Sequence, residues 1–343
     1  MKAAVIRSFG DPEVLTLEEA PIPGIPPGHV LVKVLAAGIN RLDHYIRAGG
    51  VVPLAFPHVL GSDASGVVAQ VGDGVTSVRA GDRVIPMPGY PLDAAEVHVR
   101  PLAMAPSYAI AGILSWGSYA QYMVVHERWL VRDDTGLSPE LVATLPMTLI
   151  TAVHAVKVVG QVRDGVRVLI HAGAGGTGSM NLQVARALGA RVATTVDDAK
   201  KAEMVRELGA EVVIDVRNES FADRVREWTD GKGVDVVIDN LGGEVFPRSL
   251  DALRPGGTLV AMGFVSGEEV AFHVRKFFFA QQNIRGTLMG DVQDLRWGLD
   301  QIKRGLIVPR LDRALSLAQA AEAHRLLSNY LVRGSLVLLP WAN

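Results

Sequence analysis

A short apolar strand that runs directly into three closely spaced glycines constrains this chain more than any other feature. In "VLIHAGAGGTGSMNLQVARALGARVATTVDD" (168–198), Gly173, Gly175 and Gly178 satisfy G-x-G-x-x-G. Such a match is weak alone. It becomes specific when a strand precedes it, a helix opens on it and a second strand follows. Val166–His171 reads as the strand, and Met180, Val184, Ala187 and Leu188 share one helix face. Arg191–Thr195 reads as the second strand. In such a turn the first glycine permits the tight bend, the second lets the backbone approach a pyrophosphate, and the third lets helix and strand pack closely. Ala174, Gly176 and Thr177 complete the turn, whose helix N-terminus offers free N–H groups and partial positive charge. Residues 173–178 are therefore expected to bind a dinucleotide.

Asp197 follows the second strand, nineteen residues beyond Gly178. That is near the usual place for an acid that hydrogen-bonds the adenosine ribose. A carboxylate there repels a 2′-phosphate by roughly 1–4 kcal/mol at about 4 Å, depending on screening. The sequence thus leans toward NADH over NADPH. Lys200, Lys201 and Arg217 pull the other way, since each can pair a 2′-phosphate, and Lys201 is kept among the cofactor-site residues. The alternative is that Asp197 and Asp198 simply begin a helix, where acids are favoured.

The rhythm of the chain changes on either side of this region. Lys2–Phe9, Leu15–Ala20, Val30–Ala36, Ser65–Val71 and Asp82–Met87 read as short strands punctuated by Gly and Pro, with one helix over Arg41–Ala48. From about Val166 strands alternate with helices. Glu211–Asp215, Asp235–Asp239, Thr258–Met262 and Ile284–Met289 bring the strand count to six, and Phe221, Val225 and Trp228 line one helix face. Near-continuous apolar strands in βα alternation suit a doubly wound parallel sheet buried on both faces. Ser316 with Gln319 reads as a capping box, Ala323, Leu326, Leu327 and Tyr330 follow helical spacing, Gly334 reads as the helix stop, and Ser335–Leu339 is a last strand. The tail is expected to return to the first domain. The expected division is 1–147 with 290–343 as a β domain and 148–289 as the dinucleotide-binding domain.

With 343 residues, 49% apolar and a formal net charge of −2, nothing suggests nucleic acid or a membrane surface as a partner. No apolar run reaches the roughly 18–20 residues needed to span a bilayer, and Met1–Phe9 is too short for a secretory signal; a cytoplasmic protein is expected. The absence of cysteine excludes disulfides, thiol catalysis and every Cys-containing zinc site. The nine histidines show no i, i+3 or i+4 pairing that would suggest a metal site, and no G-x-S-x-G elbow suggests a hydrolase.

Several stretches together resemble the medium-chain dehydrogenase/reductase superfamily, and most closely its zinc-independent quinone oxidoreductase branch. They are "GINRLDHYIRAG" (38–49), "GSDASGVVAQVGDGVTSVRAGDRV" (61–84), "GSYAQYMVV" (117–125), the dinucleotide turn, "GKGVDVVIDNLGG" (231–243) and "SLDALRPGGTLVAMGFVSG" (249–267). The resemblance implies an α/β fold: a GroES-like β-barrel catalytic domain plus a doubly wound Rossmann domain with a six-stranded parallel sheet, and an active site in the cleft between them. It implies a dimer or tetramer. It aligns Asn40, Ser62 and Met147 with the two Cys and one His that hold catalytic zinc in the zinc alcohol dehydrogenases. An amide, a hydroxyl and a thioether bind Zn²⁺ poorly, so no metal is expected. It also implies that Thr151, Gly263 and Phe264 line the nicotinamide and that Asn240 and Leu241 lie near its ribose. The chain departs from the branch in two places. The 88–116 segment is long and sits where zinc dehydrogenases carry a cysteine-rich lobe, and Val216 replaces a tyrosine common after the third strand.

Hydride transfer without a metal needs hydrogen-bond donors for the charge that develops on the acceptor. Asn40 offers a neutral amide donor, Tyr45 a phenolic O–H, and Ser62 a hydroxyl; these three are the expected catalytic residues. Asp43 is expected to be structural, accepting nearby backbone donors, and Arg47 to be a surface or domain-bridging charge. The reaction expected is hydride transfer from NAD(P)H to quinones or α,β-unsaturated carbonyl compounds, which need little beyond positioning and a hydrogen bond to oxygen. The alternatives are an alcohol dehydrogenase-like enzyme or enoyl reductase of the same superfamily, and a non-catalytic nicotinamide-binding sensor or structural protein.

Overall fold

A computed structural model of the chain describes residues 1–50, 52–113 and 115–342; Leu114 of the 88–116 segment lies outside them. The chain divides into two units, Met1–Thr148 with Pro309–Asn343, and Leu149–Val308.

The first unit is a β structure. Its strands are β1 (Lys2–Ile6), β2 (Thr16–Glu19), β3 (His29–Ile39), β4 (His58–Val59), β5 (Asp63–Val71), β6 (Arg83–Pro86), β7 (Gly89–Pro91), β8 (Tyr108–Ile110), β9 (Tyr122–His126) and β10 (Leu130–Arg132). Helix α1 (Arg41–Ala48) follows β3, and α2 (Pro139–Ala143) and α3 (Pro146–Val153) lead toward the second unit. The long strand β3 pairs antiparallel with both β5 and β9. Helix α1 stops where Gly49 enters the left-handed region at φ +89°, a conformation open to glycine at little cost. The 88–116 segment is an antiparallel ribbon of β7 and β8. Glu96 accepts hydrogen bonds from the N–H and hydroxyl of Ser107, and Tyr90 stacks on Trp129 with ring centroids 5.3 Å apart. Side chains thus do the cross-linking there.

In the second unit six parallel strands form one sheet: β11 (Arg167–Ile170), β12 (Arg191–Val196), β13 (Val212–Asp215), β14 (Val234–Asp239), β15 (Leu253–Ala261) and β16 (Asn283–Gly286). Their order is β13-β12-β11-β14-β15-β16, with every adjacent pair parallel. The strand order reverses direction between β11 and β14, which is where an open α/β sheet binds its ligand. Helices α4 (Gly176–Ala187), α5 (Ala199–Glu207), α6 (Phe221–Trp228), α7 (Val245–Ala252), α8 (Val274–Phe279) and α9 (Val292–Lys303) complete the unit. Leu169, Ile214, Val225, Val237 and Leu259 belong to one buried cluster, so the apolar strand runs seen in the sequence are its core.

The second unit extends past the expected boundary at 289. Helix α9 belongs to it because Gly298 packs directly on Leu149, where an added Cβ would lie 2.6 Å from Leu149 Cγ. Asp294 also accepts a hydrogen bond from His154 at 2.9 Å. The chain returns to the first unit at Pro309, through β17 (Leu311–Ser316), α10 (Ala320–Ser328) and β18 (Ser335–Leu339), which pairs antiparallel with β3. Gly334 does not end α10. The helix finishes at Ser328 and Tyr330 takes the left-handed turn at φ +58°. Gly334 lies at φ +90° immediately before β18, close against the Arg310 carbonyl.

Candidate active site

The glycines of the dinucleotide turn do different work. A Cβ on Gly173 would sit 2.0 Å from Thr194 Oγ1, and one on Gly178 would sit 2.1 Å from the Ala172 carbonyl oxygen. Both are glycine because the protein's own atoms leave no room. Gly175 caps α4 at φ −75°, an ordinary conformation, and its Cβ would meet nothing nearer than Ala172 O at 3.6 Å. Nothing internal requires glycine there. Open space before a helix N-terminus is what a pyrophosphate would fill. Residues 175–177 are half-buried and border that space, and the first N–H groups of α4 have no intrahelical acceptors.

The carboxyl edge of the sheet carries a second sign of a ligand. Asp239, Ala261 and Gly286 lie in register across β14, β15 and β16. Just beyond them, Asn240 Oδ1 and Thr287 Oγ1 are buried without a hydrogen-bond partner, as is Asn181 Oδ1; the Asn181 amide nitrogen reaches Met262 Sδ at 3.4 Å. Orphaned buried polar atoms are costly, and these cluster where the other half of a dinucleotide would lie. The loops that carry them are joined: Ser266 N–H donates to Leu241 O at 2.7 Å and Gly243 N–H to Gly267 O at 3.0 Å. Gly263 sits so near Asn240 that a Cβ would lie 2.6 Å from its carbonyl oxygen. Phe264 is exposed beside it, at 41%. Thr151 is half-buried on α3.

Beyond β12 the acids divide their roles. Asp198 caps α5, its carboxylate accepting from Lys201 N–H at 2.8 Å. Asp197 stays half-exposed and pairs with the Lys201 ammonium at 2.7 Å. Arg217 is bound to Asp215 at 2.6 Å, and hydrogen bonding from Arg217 holds the Asp215 carboxyl down at about 2.

In the first unit Asn40 and Ser62 meet. Asn40 caps α1, is 8% exposed, and its amide nitrogen donates to Ser62 Oγ at 3.3 Å. Asp43 accepts from Asn40 N–H at 2.8 Å and from the Tyr119 hydroxyl at 3.2 Å. Asp63 accepts from Met147 N–H at 2.9 Å and is hydrogen-bonded by the Asn40 amide. Burial pushes the Asp43 carboxyl up to about 7 and the Asp63 carboxyl up to about 8. Asn40 is thus held between two buried acids. Tyr45 is half-buried on the same helix, its ring 5.4 Å from that of His44.

Family models for an alcohol dehydrogenase GroES-like domain and for a zinc-binding dehydrogenase match residues 26–135 and 176–304. A 2-haloacrylate reductase from a Burkholderia species is 34% identical, the match covering 99% of each chain. A quinone oxidoreductase of Pseudomonas aeruginosa is 31% identical over 99% of each. The chain belongs to the zinc-independent, quinone oxidoreductase-like branch of the medium-chain dehydrogenase/reductase superfamily. Among solved structures, an NAD-dependent alcohol dehydrogenase superimposes with a TM-score of 0.95 at 35% identity over 99% of each chain. A 2-haloacrylate reductase superimposes at 0.81 with 32% identity over the whole of both. As a member of this branch the protein is an NAD(P)H-dependent oxidoreductase.

The resemblance places Asn40, Ser62 and Met147 at the metal-ligand positions of the zinc-dependent members. Here the first two bond to each other and the third contributes its backbone N–H to Asp63. Among the described residues no group of three or more His, Cys, Asp or Glu is placed to hold a metal. One expectation about this region fails. Arg47 is not a surface charge: it is 2% exposed and bonds to the Gly10 carbonyl, to His324 at 3.3 Å and to His44 at 3.0 Å, all within its own unit. Asp63, Tyr119 and His324 were not evident as site residues. Asp63 adjoins Ser62 in the sequence, which was a usable signal; Tyr119 and His324 reach Asp43 only through the fold.

Proposed function

We propose that this enzyme reduces conjugated carbonyl compounds, quinones or α,β-unsaturated carbonyls, with NADH as hydride source. The carrying observation is the Asn40–Ser62 pair, an amide and a hydroxyl hydrogen-bonded at 3.3 Å, at positions that the resemblance aligns with the ligands of zinc-dependent members. The dinucleotide would be held by Gly173, Ala174, Gly175, Gly176, Thr177 and Gly178 at its pyrophosphate, by Asp197 at the adenosine ribose, and by Asn240, Leu241, Gly263, Phe264 and Thr151 along its nicotinamide half. Bound there, the cofactor would be the source of a hydride for the electrophilic carbon of the acceptor. The π electrons would then shift onto the carbonyl oxygen, toward which Asn40 would turn the N–H it gives to Ser62, with Ser62 and Tyr45 donating hydrogen bonds beside it. A proton from solvent water would complete the reduction. A simple alcohol, which needs an alkoxide, receives no help from these neutral donors.

The preference for NADH rests on Asp197 and on the pairing of Lys201 and Arg217 with acids of their own unit, which leaves a 2′-phosphate only the exposed Lys200 of the three cations. The named relatives that favour this substrate class are a 2-haloacrylate reductase and quinone oxidoreductases. Oxidation of NADH and NADPH is to be followed against benzoquinones, enones and 2-haloacrylates with chelator present. Turnover of at least one conjugated acceptor is expected, with Asn40→Ala losing about 10²–10³ in kcat. Absence of turnover with every conjugated acceptor, or activity confined to alcohols, refutes the proposal.

A further inference from the structure

A buried chain of hydrogen bonds lies beneath the dinucleotide edge of the second unit, and its direction is fixed by its ends. Ala172 N–H donates to Thr195 Oγ1 at 2.9 Å. At the far end the Asp239 carboxylate can only accept, so Ser249 gives it its proton and takes one from His171 Nε2, which leaves Nδ1 of the neutral ring to accept from the Thr195 hydroxyl at 3.3 Å. His171 Nε2 therefore carries the imidazole proton and donates it to Ser249 Oγ at 2.8 Å. Ser249 in turn donates to Asp239 Oδ2 at 2.9 Å, and Asp239 Oδ1 accepts the N–H groups of Leu241 and Gly242 at 2.8 and 2.9 Å. His171 is 1% exposed, with Phe221 edge-on at 4.8 Å. Burial favours its neutral form.

The two ends of this chain are the two loops that flank the reversal of strand order. Ala172, held at φ +51°, opens the pyrophosphate turn after β11. Leu241 and Gly242 belong to the loop after β14 that presents Asn240. A dinucleotide seated on the turn with its adenosine over β12 must lay its other half across that loop. We propose that His171 is a positioning residue, which holds the loop 240–243 in register with the pyrophosphate turn and so holds the nicotinamide half of the cofactor. The proposal rests on the reading of the turn as the cofactor site. The link matters because Ser249 has a competing acceptor, the Val245 carbonyl at 3.1 Å. With its oxygen accepting from His171 N–H, Ser249 cannot turn its proton to the ring and gives it to the nearer and charged acceptor, the Asp239 carboxylate.

Binding of NADH and of ADP, which lacks the nicotinamide half, separates this role from simple packing. His171→Leu is expected to weaken NADH at least tenfold while ADP changes less than threefold, because Thr195 still accepts from Ala172. His171→Gln, which can place an N–H near Ser249, is expected to stay within threefold for both. Equal weakening of both ligands, unchanged NADH affinity, or a Gln variant as damaged as the Leu variant overturns the proposal. Should His171→Leu not fold, Ser249→Ala against Ser249→Thr carries the same prediction. Gly175→Val tests the underlying reading separately: it must abolish both ligands in a folded protein, and if it binds both as wild type the cofactor site itself is misplaced.

Discussion

Gly173 and Gly175 are two residues apart and answer to different demands. Filling Gly173 drives a methyl into Thr194 Oγ1, so Gly173→Ala is expected to cost about 1–3 kcal/mol of stability, as overpacking does. Filling Gly175 collides with nothing in the protein. Gly175→Ala should therefore unfold at the wild-type temperature while binding NADH at least tenfold more weakly. Thermal midpoints and cofactor titrations of the two variants check this; equal loss of stability in both would show that Gly175 is a folding glycine. The same distinction separates Asp198, which caps a helix, from Asp197, which pairs with the Lys201 ammonium beside the turn. The helix-start alternative thus accounts for Asp198 alone.

Helix α1 and strand β5 each bury an acid beside Asn40, and together they set a pH dependence. Asp43 and Asp63 bind protons in the folded state up to about pH 7 and 8, whereas in the unfolded chain they lose them near pH 4. Their contribution to stability is complete below the unfolded value and is lost as pH rises through the folded ones. Burial shifts His171 and His324 the opposite way, His324 to about 3. They contribute stability that is lost as pH falls below about 6.5. The two effects oppose each other between roughly pH 4 and 6.5, and only the carboxyls remain above it. Stability is expected to fall by about 2 kcal/mol between pH 6.5 and 8.5, at a slope near 1.4 kcal/mol per pH unit per proton. Asp63→Asn, which can still accept from Met147 N–H, should remove most of that slope. Urea midpoints at the two pH values measure it, and a variant as steep as wild type would refute the assignment.

At the scale of the whole molecule the outer edge of the parallel sheet stands out. Among the described residues strand β16 pairs only with β15, and all four of its residues are exposed. Nearby α8 exposes Val274 at 63%, Phe278 at 57% and Phe279 at 74%. An unpaired edge beside large apolar side chains invites association. A dimer formed through this face is expected, with Phe278→Glu/Phe279→Glu shifting it to monomer by light scattering while each unit stays folded. A doubly substituted protein that keeps the wild-type mass would place the interface elsewhere or show that there is none. No helix among the described residues is long and apolar enough to cross a membrane.

The sequence by itself determined what depends on local spacing. The glycine turn, the six parallel strands and the helix over Arg41–Ala48 could be read because each is set by neighbours a few residues apart, and the lack of cysteine ligands because composition alone states it. Helix α9 escaped notice and took the unit boundary with it, since its place is decided by Gly298 packing on Leu149. The buried acids around Asn40, the sequestration of Arg47 and the His171 relay were decided only by tertiary structure. Burial, charge pairing and hydrogen-bond direction there join residues as distant as Asp43, Tyr119 and His324, and no local pattern encodes such a meeting.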